Sequence, residues 1–292
     1  MSFDAIKDCE YFKDAELARY TTIRLKKIGD ICIVKSLDAL IELKRVANKE
    51  HKKIHLIGWG ANQIIKDTKD KIFVKLDLPF NRDYLKEARD EYDLPASVSL
   101  NILQSHAQKF GLKGWEVFTG VPASLGGALV MNAGTSLGEI SDVVKSVTVL
   151  RENNQIEELE NKDLFVYRNN KFLKPGDIIL SAKLIHHGIE ESIKSQIKEY
   201  MQFRKNSQPL KSFNCGCVFK NYTPQHRAGQ FIDTLGLKNF TFKSLKVSEV
   251  HANFVEHAGM ATSDECEYFL DKLNSILEQH TGVKFELEVK IY

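Results

Sequence analysis

Residues 120–134 read GVPASLGGALVMNAG, a run of small side chains that contains one proline and the pair Gly126-Gly127. No aromatic or charged side chain interrupts the run, and Val121 and Leu125 are the only large side chains in its first half. Glycine-rich backbone is typical of places where a ligand comes close to the main chain, and backbone N–H groups bind phosphate well. The stretch therefore predicts a loop that binds a phosphate-bearing cofactor.

A second glycine-rich stretch, GWGAN at residues 58–62, follows a predicted strand, helix and strand. Residues 31–34 form the first apolar run, and Ser36 is a suitable N-cap for the helix after it. Residues 53–57 form the second strand. The spacings GxGxxG and GxxxxGK are both absent, so the pattern predicts neither a Rossmann fingerprint nor a P-loop.

The rest of the chain is predicted to form further helices and strands in separate runs. Helices are predicted at residues 102–110, along the face of Ile193, Ile197, Tyr200 and Met201, at residues 228–235, and after the capping box of Thr262 and Glu265. Strands are predicted at residues 147–150 and 156–159, which form a hairpin, at residues 178–185, and in the alternating segment FELEVKIY at residues 285–292. This order indicates an α+β fold with mixed or antiparallel sheets rather than a doubly wound parallel fold.

Length and composition limit the function classes. At 292 residues the chain is long enough for two domains, and its net charge of +2 gives no strong field for nucleic-acid binding. The N-terminal residues carry acids and no apolar run, and no apolar stretch is long enough to cross a membrane. We therefore expect a cytoplasmic protein without nucleic-acid or membrane partners.

Cysteine usage points the same way. Five cysteines are an odd number in a chain without a signal, which favours free thiols and a reducing compartment. Cys215 and Cys217 could form half of a zinc site with His226 or His251. No second cysteine pair supports that site, so no metal is predicted, and Cys215 is expected to be a small packing residue.

Eight stretches follow one another in the order found in a known enzyme family: GWGAN, GVPASLGGALVMNAG, YRNNKF, SQP, CGCVFKN, AGQFIDTLGLKN, VSEVHANF and LEV. On these stretches, from about residue 21 to residue 292, the chain resembles the UDP-N-acetylenolpyruvoylglucosamine reductase (MurB) family. The resemblance implies an FAD-binding unit of the vanillyl-alcohol-oxidase (PCMH) type, with lobes at residues 1–75 and 76–205. It also implies a C-terminal α+β substrate-binding domain at residues 206–292. The short spacing from Arg168 to Cys217 implies the shorter, second type of the family.

The resemblance also implies an activity. The family uses FAD, with NADPH as hydride donor, to reduce UDP-N-acetylglucosamine-enolpyruvate to UDP-N-acetylmuramate. A UDP-N-acetylmuramate dehydrogenase of this kind serves peptidoglycan synthesis, and so cell wall biogenesis, cell shape and cell division; we expect a monomer. Two other functions stay open: another FAD-dependent oxidoreductase of this fold acting on an alcohol or sugar, and a nucleotide-binding protein that has lost its chemistry.

By resemblance, both glycine-rich stretches bind FAD. Their backbone N–H groups would face the pyrophosphate, and Asn62, Ser124 and Asn132 could add hydrogen bonds. The alternative is a pair of tight turns that need glycine only for its conformation. Trp59 and Ala123 stand where the family usually has glycine. The predicted cofactor-binding residues are Gly58, Trp59, Gly60, Ala61, Asn62, Gly120, Val121, Pro122, Ser124, Gly126, Gly127, Asn132, Ala133 and Gly134.

The resemblance implies three catalytic residues. Arg168 offers paired donors to the substrate carboxylate and stabilises an enolate, although a surface salt bridge is the alternative. Cys217 stands where many family members have the serine that protonates the intermediate, and a thiol, with an ordinary pKa of about 8.5, is the stronger acid. Glu288, on the polar face of the last predicted strand, completes the set; Glu286 is its rival, and an exposed strand acid is the alternative.

The substrate-binding residues that the resemblance implies are Arg204, Gln208, Lys220 and Asn221. Ser207 stands where the family has a lysine, so one cationic contact is missing or supplied elsewhere. Asn170 stands where the family commonly has serine. His251 could suggest acid–base chemistry, but we expect a structural hydrogen bond, because the three implied catalytic residues need no histidine.

Overall fold

The computed structural model describes residues 2–223 and 225–292. From the N-terminus, the chain forms β1 (Cys9–Glu16), β2 (Ile28–Val34), α1 (Leu37–Lys49), β3 (Lys53–Leu56), β4 (Gln63–Ile64), β5 (Lys71–Leu76), β6 (Glu91–Pro95), α2 (Leu100–Phe110), α3 (Leu125–Val130), β7 (Gly134–Thr135) and β8 (Gly138–Glu139). It continues with β9 (Val144–Leu150), β10 (Ile156–Glu160), β11 (Phe165–Val166), β12 (Asn169–Asn170), β13 (Ile178–Ile185), α4 (Ser192–Ser207), α5 (Ala228–Thr234), β14 (Thr241–Phe242), β15 (Leu245–Val247), β16 (Val255–His257), α6 (Ser263–Thr281) and β17 (Lys290–Ile291). The predicted α+β fold with mixed sheets is confirmed.

Internal contacts group the residues into two compact units. Unit 1 comprises the chain up to Phe12, Ile31–Gly58 and Asp70–Gln202. Unit 2 comprises Lys13–Asp30, Trp59–Lys69 and Phe203–Tyr292. The C-terminal unit thus includes two earlier segments that a linear division at residues 75 and 205 does not give it. That linear division stays a prediction.

One part of unit 1 is built on parallel strands. In a sheet of order β1-β2-β5-β3, β5 runs parallel to both of its neighbours. Parallel strands need a crossover connection, and α1 supplies the one between β2 and β3. The Ser36 hydroxyl caps α1 as predicted by accepting the Ala39 N–H at 3.2 Å. The buried face of this helix carries Leu40, Leu43, Val46 and Ala47.

The other part of unit 1 is an antiparallel sheet of order β10-β9-β13-β6, which includes the predicted β9–β10 hairpin. Its core is aromatic: the Trp115 and Tyr92 rings lie 4.7 Å apart, and the buried His106 Nε2 is 2.9 Å from the Tyr92 hydroxyl. Burial lowers the pKa of His106 to about 4, so the ring is uncharged at neutral pH and packs as part of the core. Gly111, at φ 70°, ends α2 as predicted.

Unit 2 is organised around α6. The capping box of Thr262 and Glu265 begins the helix, and Gly282, at φ 69°, ends it, both as predicted. The helix shares a core with α5 and with the antiparallel sheet of order β14-β15-β16. Its buried face carries Cys266, Phe269, Leu270, Leu273 and Leu277.

The C-terminal segment is a shorter strand than predicted, since only Lys290–Ile291 forms β17. The reason is a change of partner. Glu288 first donates its N–H to the Val218 carbonyl at 2.9 Å, whereas Lys290 donates to the Asn62 carbonyl at 3.1 Å and β17 then pairs in parallel with β4. The alternation of burial survives, with Val289 buried and Lys290 exposed.

Candidate active site

The two glycine-rich stretches meet in unit 1 at Gly58 and Ser124. A Cβ on Gly58 would lie 2.7 Å from the Ser124 Oγ and 3.8 Å from the Gly127 Cα. The first distance is shorter than ordinary van der Waals contact, so any larger residue would push the end of β3 away from the start of α3. Glycine at position 58 therefore serves a close approach of backbone to a buried hydroxyl.

Gly60, in unit 2, is glycine for a different reason. Its φ is 61°, and a Cβ there would lie 2.2 Å from the Tyr20 carbonyl oxygen and 2.6 Å from the Thr21 Cα. The Thr22 N–H donates to the Gly60 carbonyl at 3.3 Å. The tight-turn alternative thus accounts for Gly60 without a ligand.

The second stretch is not a loop throughout, because α3 begins directly after Ser124. The first three amides of α3 donate within the protein, to the carbonyls of Val98 at 2.7 Å and Ala96 at 2.8 Å and to the Ser124 Oγ at 3.2 Å. A Cβ on Gly126 would lie 2.9 Å from the Ala96 Cβ. The glycine pair therefore allows α3 to pack closely. The contacts of Gly126 and Gly127 with FAD stay predictions.

Other positions of the second stretch are also held by the protein. Gly120, at φ 69°, donates its N–H to the Gln104 side chain at 2.8 Å. The amides of Val121 and Ala133 donate to backbone carbonyls, and Pro122 has no amide to offer. Their predicted contacts with FAD stay predictions, and any that exist are van der Waals contacts or involve side chains or carbonyls.

Most backbone amides of the first stretch, in contrast, are not used for hydrogen bonds within the described part of the fold. Among the described residues, the amides at positions 58–61 donate to no hydrogen-bond acceptor. Main-chain N–H groups are nearly always paired with protein, water or ligand. A run of such donors beside a glycine fits a phosphate group of a dinucleotide, so Gly58, Trp59, Gly60 and Ala61 keep the donors that the prediction requires.

Arg168 occupies the tight turn between β11 and β12 in unit 1. Its φ of 52° lies in the left-handed region, which costs a residue other than glycine on the order of 1–3 kcal/mol. Its guanidinium, 16% exposed, donates to the Gly134 carbonyl at 2.9 Å and lies 3.7 Å from the Glu139 carboxylate. A charged side chain held this way on strained backbone favours a functional role over an exposed salt bridge.

Asn132 supports this turn. Its buried amide nitrogen donates to the Glu139 Oε2 at 2.6 Å and to the Val166 carbonyl at 3.2 Å, while its oxygen accepts the Ser141 N–H at 3.2 Å. Asn132 therefore links Glu139 to the hairpin that carries Arg168. The contact of Asn132 with FAD stays a prediction.

In unit 2, Cys217 is half-buried and forms an isolated β-bridge with Phe254. The buried Asn253 accepts the Val218 N–H on its backbone oxygen at 2.9 Å and the Phe219 N–H on its side-chain oxygen at 3.1 Å. Its amide nitrogen donates back to the Phe219 carbonyl at 2.8 Å. Asn253 thus fixes the main chain directly after Cys217. Sequence reasoning alone misses this residue, although it stands in VSEVHANF.

His251 has the structural role expected for it. Its Nδ1 accepts the Asn253 N–H at 3.2 Å, and its ring packs against Phe254 with centroids 4.8 Å apart. Burial, followed by the positive charge of Lys238, lowers the pKa of His251. The neutral ring is therefore an acceptor that holds the same segment as Asn253.

The two thiols of CGCVFKN differ in environment. Cys215 is 1% exposed and belongs to the core of unit 2, which confirms it as a packing residue. Burial raises the pKa of the Cys215 thiol well above its ordinary range, so it stays protonated and inert. Gly216, at φ 78°, separates it from the half-buried Cys217.

The two candidate acids of the C-terminal segment, Glu286 and Glu288, differ in solvent exposure and in their partners. Glu286 is 70% exposed and forms an ion pair with Lys220 at 2.7 Å, supported by a Lys220 N–H bond to the Glu286 carbonyl at 2.8 Å. Glu288 is half-buried, and its backbone N–H donates to the Val218 carbonyl. The less exposed position next to the Cys217 segment favours Glu288 as the functional acid.

The other predicted substrate contacts lie in unit 2. The Arg204 side chain, on the last turn of α4, is buried and donates to the Gln208 Oε1 through Nε at 3.0 Å and a terminal nitrogen at 2.6 Å. Asn221 is exposed. The roles of Arg204, Gln208, Lys220 and Asn221 toward a substrate stay predictions.

Comparison with known proteins places these features in a family. A model of the UDP-N-acetylenolpyruvoylglucosamine reductase C-terminal domain matches residues 208–292, and an FAD binding domain model matches residues 31–160. The reductase of Streptococcus pneumoniae strain CGSP14 is 34% identical over 86% of this chain and 83% of its own length. The chain belongs to the UDP-N-acetylenolpyruvoylglucosamine reductase family.

Two further members of this family also match nearly the whole chain. The Bacillus subtilis reductase is 30% identical over 94% of this chain and 91% of its own length. The crystal structure of the reductase from Thermus caldophilus covers 97% of this chain and 98% of its own, with a TM-score of 0.79 at 27% identity. The family's FAD-binding model spans both glycine-rich stretches, so the chain contains an FAD-binding domain, and the C-terminal model contains Cys217 and Glu288.

No three His, Cys, Asp or Glu side chains in the described part of the chain lie together in a way that could hold a metal ion. No helix formed by the described residues is long and apolar enough to cross a membrane.

Gly58→Ala tests the contact between the two stretches. We expect the affinity for FAD to fall by about tenfold or more, because the added Cβ meets the Ser124 Oγ and shifts the amides of the first stretch. Titration of the apoprotein with FAD, followed by flavin fluorescence, measures this. The control is Gly188→Ala: position 188 has φ 108° but no atom within 4 Å of a Cβ, so this variant adds only backbone strain. Equal losses of affinity in both variants would assign the effect to general destabilisation.

Proposed function

We propose that this protein reduces UDP-N-acetylglucosamine-enolpyruvate to UDP-N-acetylmuramate, with FAD as cofactor and NADPH as hydride donor, in peptidoglycan synthesis. The observation that carries the proposal is family membership across nearly the whole chain, in relatives that are named as reductases of this substrate. Retention of Arg168, Cys217 and Glu288 in that framework supports a working enzyme rather than a binding protein without chemistry.

FAD, when bound, supplies the hydride chemistry, and the chain's own residues hold it and manage charge and protons. Gly58, Trp59, Gly60 and Ala61 would hold its pyrophosphate through their amides, and Gly58 provides the close approach. Ser124 fits a further hydrogen bond, because its hydroxyl already accepts the Gly127 N–H and keeps its own proton to donate.

Arg168 binds the carboxylate of the enolpyruvyl group. Its guanidinium stays charged at all relevant pH values and presents planar paired donors, a match for a carboxylate on which negative charge grows during reduction. The Gly134 carbonyl fixes one edge of the guanidinium, and Glu139 balances part of its charge at 3.7 Å. Preorganisation of this kind lowers the energy of the charged intermediate without reorientation during the reaction.

Cys217 is the general acid that gives its thiol proton to the substrate α-carbon. Asn253 and Phe254 fix the main chain around it, so the thiol is presented on rigid backbone. Glu288 assists as the carboxylate that polarises the substrate. Lys220, Asn221, Arg204 and Gln208 contact the nucleotide sugar, with Lys220 exchanging its partner Glu286 for a phosphate.

The proposed setting follows from these substrates. UDP-sugars and NADPH belong to the cytoplasm, where the product feeds cell wall biogenesis and thereby cell shape and division. We propose a cytoplasmic monomer without a nucleic-acid partner, since a net charge of +2 gives no strong field for nucleic acid.

The proposed function has a direct spectroscopic test. The purified protein should be yellow with about one FAD per chain. Under anaerobic conditions NADPH should bleach the flavin absorbance, and the enolpyruvyl sugar nucleotide should restore it, whereas UDP-N-acetylglucosamine should not. A colourless protein that cannot be reconstituted would overturn the proposal. So would bleaching of the oxidised flavin by simple alcohols or sugars together with no re-oxidation of the reduced flavin by the enolpyruvyl sugar nucleotide.

Cys217 variants test the proton donor. Cys217→Ser keeps an O–H at the same place and should retain appreciable turnover. Cys217→Ala removes the proton and should slow substrate-driven re-oxidation of the flavin by about 100-fold or more, with flavin reduction by NADPH nearly unchanged. Cys215→Ala, in the core, should affect stability instead. Normal re-oxidation kinetics in Cys217→Ala would show that another group donates the proton.

Glu288→Gln and Glu286→Gln compare the two acids of one segment. We expect Glu288→Gln to slow flavin re-oxidation by about 100-fold, and Glu286→Gln to change it by about threefold or less, because an exposed ion pair contributes little. Stopped-flow absorbance of the flavin measures both. Equal effects would refute the choice of Glu288.

A further inference from the structure

Asn62, the last residue of the first glycine-rich stretch, bonds to the C-terminal segment through both its side chain and its main chain. Its amide nitrogen donates to the Glu288 carbonyl at 2.9 Å, and its own carbonyl accepts the Lys290 N–H at 3.1 Å. Both residues belong to unit 2. The stretch that carries Gly60 is therefore tied directly to the main chain of the proposed functional acid.

The other side of Glu288 is held as well. Its N–H donates to the Val218 carbonyl at 2.9 Å, one residue from Cys217. The two bonds fix the peptide groups before and after the Glu288 Cα. Because these peptide planes determine the direction of the Cα–Cβ bond, they limit where the carboxylate can reach.

We propose that Asn62 is a positioning residue for Glu288: it sets the carboxylate by clamping the peptide that follows it, and it links the cofactor-binding stretch to that carboxylate. This inference rests on the proposed function. A shift of about 1 Å in a catalytic group can slow a reaction by about 100-fold. We call the bond from the Asn62 side chain to the Glu288 carbonyl the clamp. Its loss should slow re-oxidation of the flavin by the substrate, which uses Glu288, and should leave NADPH binding unchanged.

Asn274 provides a matched control within the same unit. Its amide nitrogen donates to the Phe285 carbonyl at 2.8 Å, and its oxygen accepts the Phe285 N–H at 3.0 Å. It thus clamps the same C-terminal segment three residues before Glu288, from α6 rather than from the glycine-rich stretch. Its loss should loosen the segment without removing the link between Asn62 and Glu288.

The experiment compares Asn62→Ala, Asn274→Ala, Glu288→Gln and the double variant Asn62→Ala with Glu288→Gln, each loaded with FAD. For Asn62→Ala we expect flavin reduction by NADPH within about threefold of the parent and substrate-driven re-oxidation slowed by about 10- to 100-fold. The double variant should be no slower than Glu288→Gln alone, because residues that act through one group are not additive. Asn274→Ala should re-oxidise within about threefold of the parent.

Hydrogen exchange of the backbone gives a readout that does not depend on activity. In Asn62→Ala the amides at positions 288–290 should exchange faster, and in Asn274→Ala the faster exchange should centre on Phe285. Unchanged exchange at 288–290 in Asn62→Ala would disprove the clamp.

Three kinetic outcomes would also overturn the inference. Equal slowing in Asn274→Ala would mean that only segment stability matters. Multiplied effects in the double variant would mean that Asn62 acts independently of Glu288. Loss of FAD with normal re-oxidation in the remaining holoenzyme would make Asn62 a cofactor contact. If the parent enzyme does not react with the enolpyruvyl sugar nucleotide, the proposed function fails, and hydrogen exchange still decides whether the clamp exists.

Discussion

The main chain of Glu288 is held from both sides, by the Val218 carbonyl before it and by the Asn62 side chain after it. Much of unit 2 depends on this arrangement. Residues 59–69 belong to the C-terminal unit, and the terminal segment changes partners at Glu288 instead of forming one long strand. Backbone groups that leave one ladder must find new partners, and here the new partner is the stretch next to the glycines.

The glycines serve separate physical purposes. Gly58 permits backbone to contact a buried hydroxyl, Gly60 adopts a conformation that other residues avoid, and Gly126 lets a short helix pack against Ala96. The amides at positions 58–61 have no acceptor among the described residues, whereas most amides of the second stretch donate within the protein. A glycine-rich sequence therefore indicates close backbone approach, but it does not tell whether a ligand or another segment makes that approach.

Local signals predicted the longer helices and the β9–β10 hairpin, whereas strands β1, β5 and β6 and the sheet of β14, β15 and β16 were not predicted. The cap at Ser36, the glycine stop after α2 and the capping box of α6 depend on residues within four positions, so the sequence alone reveals them. The polar partners of Asn62, Asn132 and Asn253 lie up to 226 residues away, and no periodic pattern encodes such bonds. The order of the family's motifs was enough to identify the stretches that form the site. Only the structure shows which atoms of each stretch make hydrogen bonds.

Cys215 and Cys217 show that the backbone determines where each thiol lies and that burial determines whether the thiol can ionise. Gly216, in the left-handed region, turns the chain between them, so one thiol enters the core while the other stays half-buried. Burial makes a thiolate costly at position 215, which leaves that thiol as packing. The Asn253 side chain bonds to the main chain of Phe219, and the bridge from Cys217 to Phe254 pairs main chain with main chain. Neither contact depends on the Cys217 side chain, so serine or cysteine can occupy the same place. The fold therefore sets where the proposed proton donor lies, and the choice of sulfur over oxygen sets how acidic that group is.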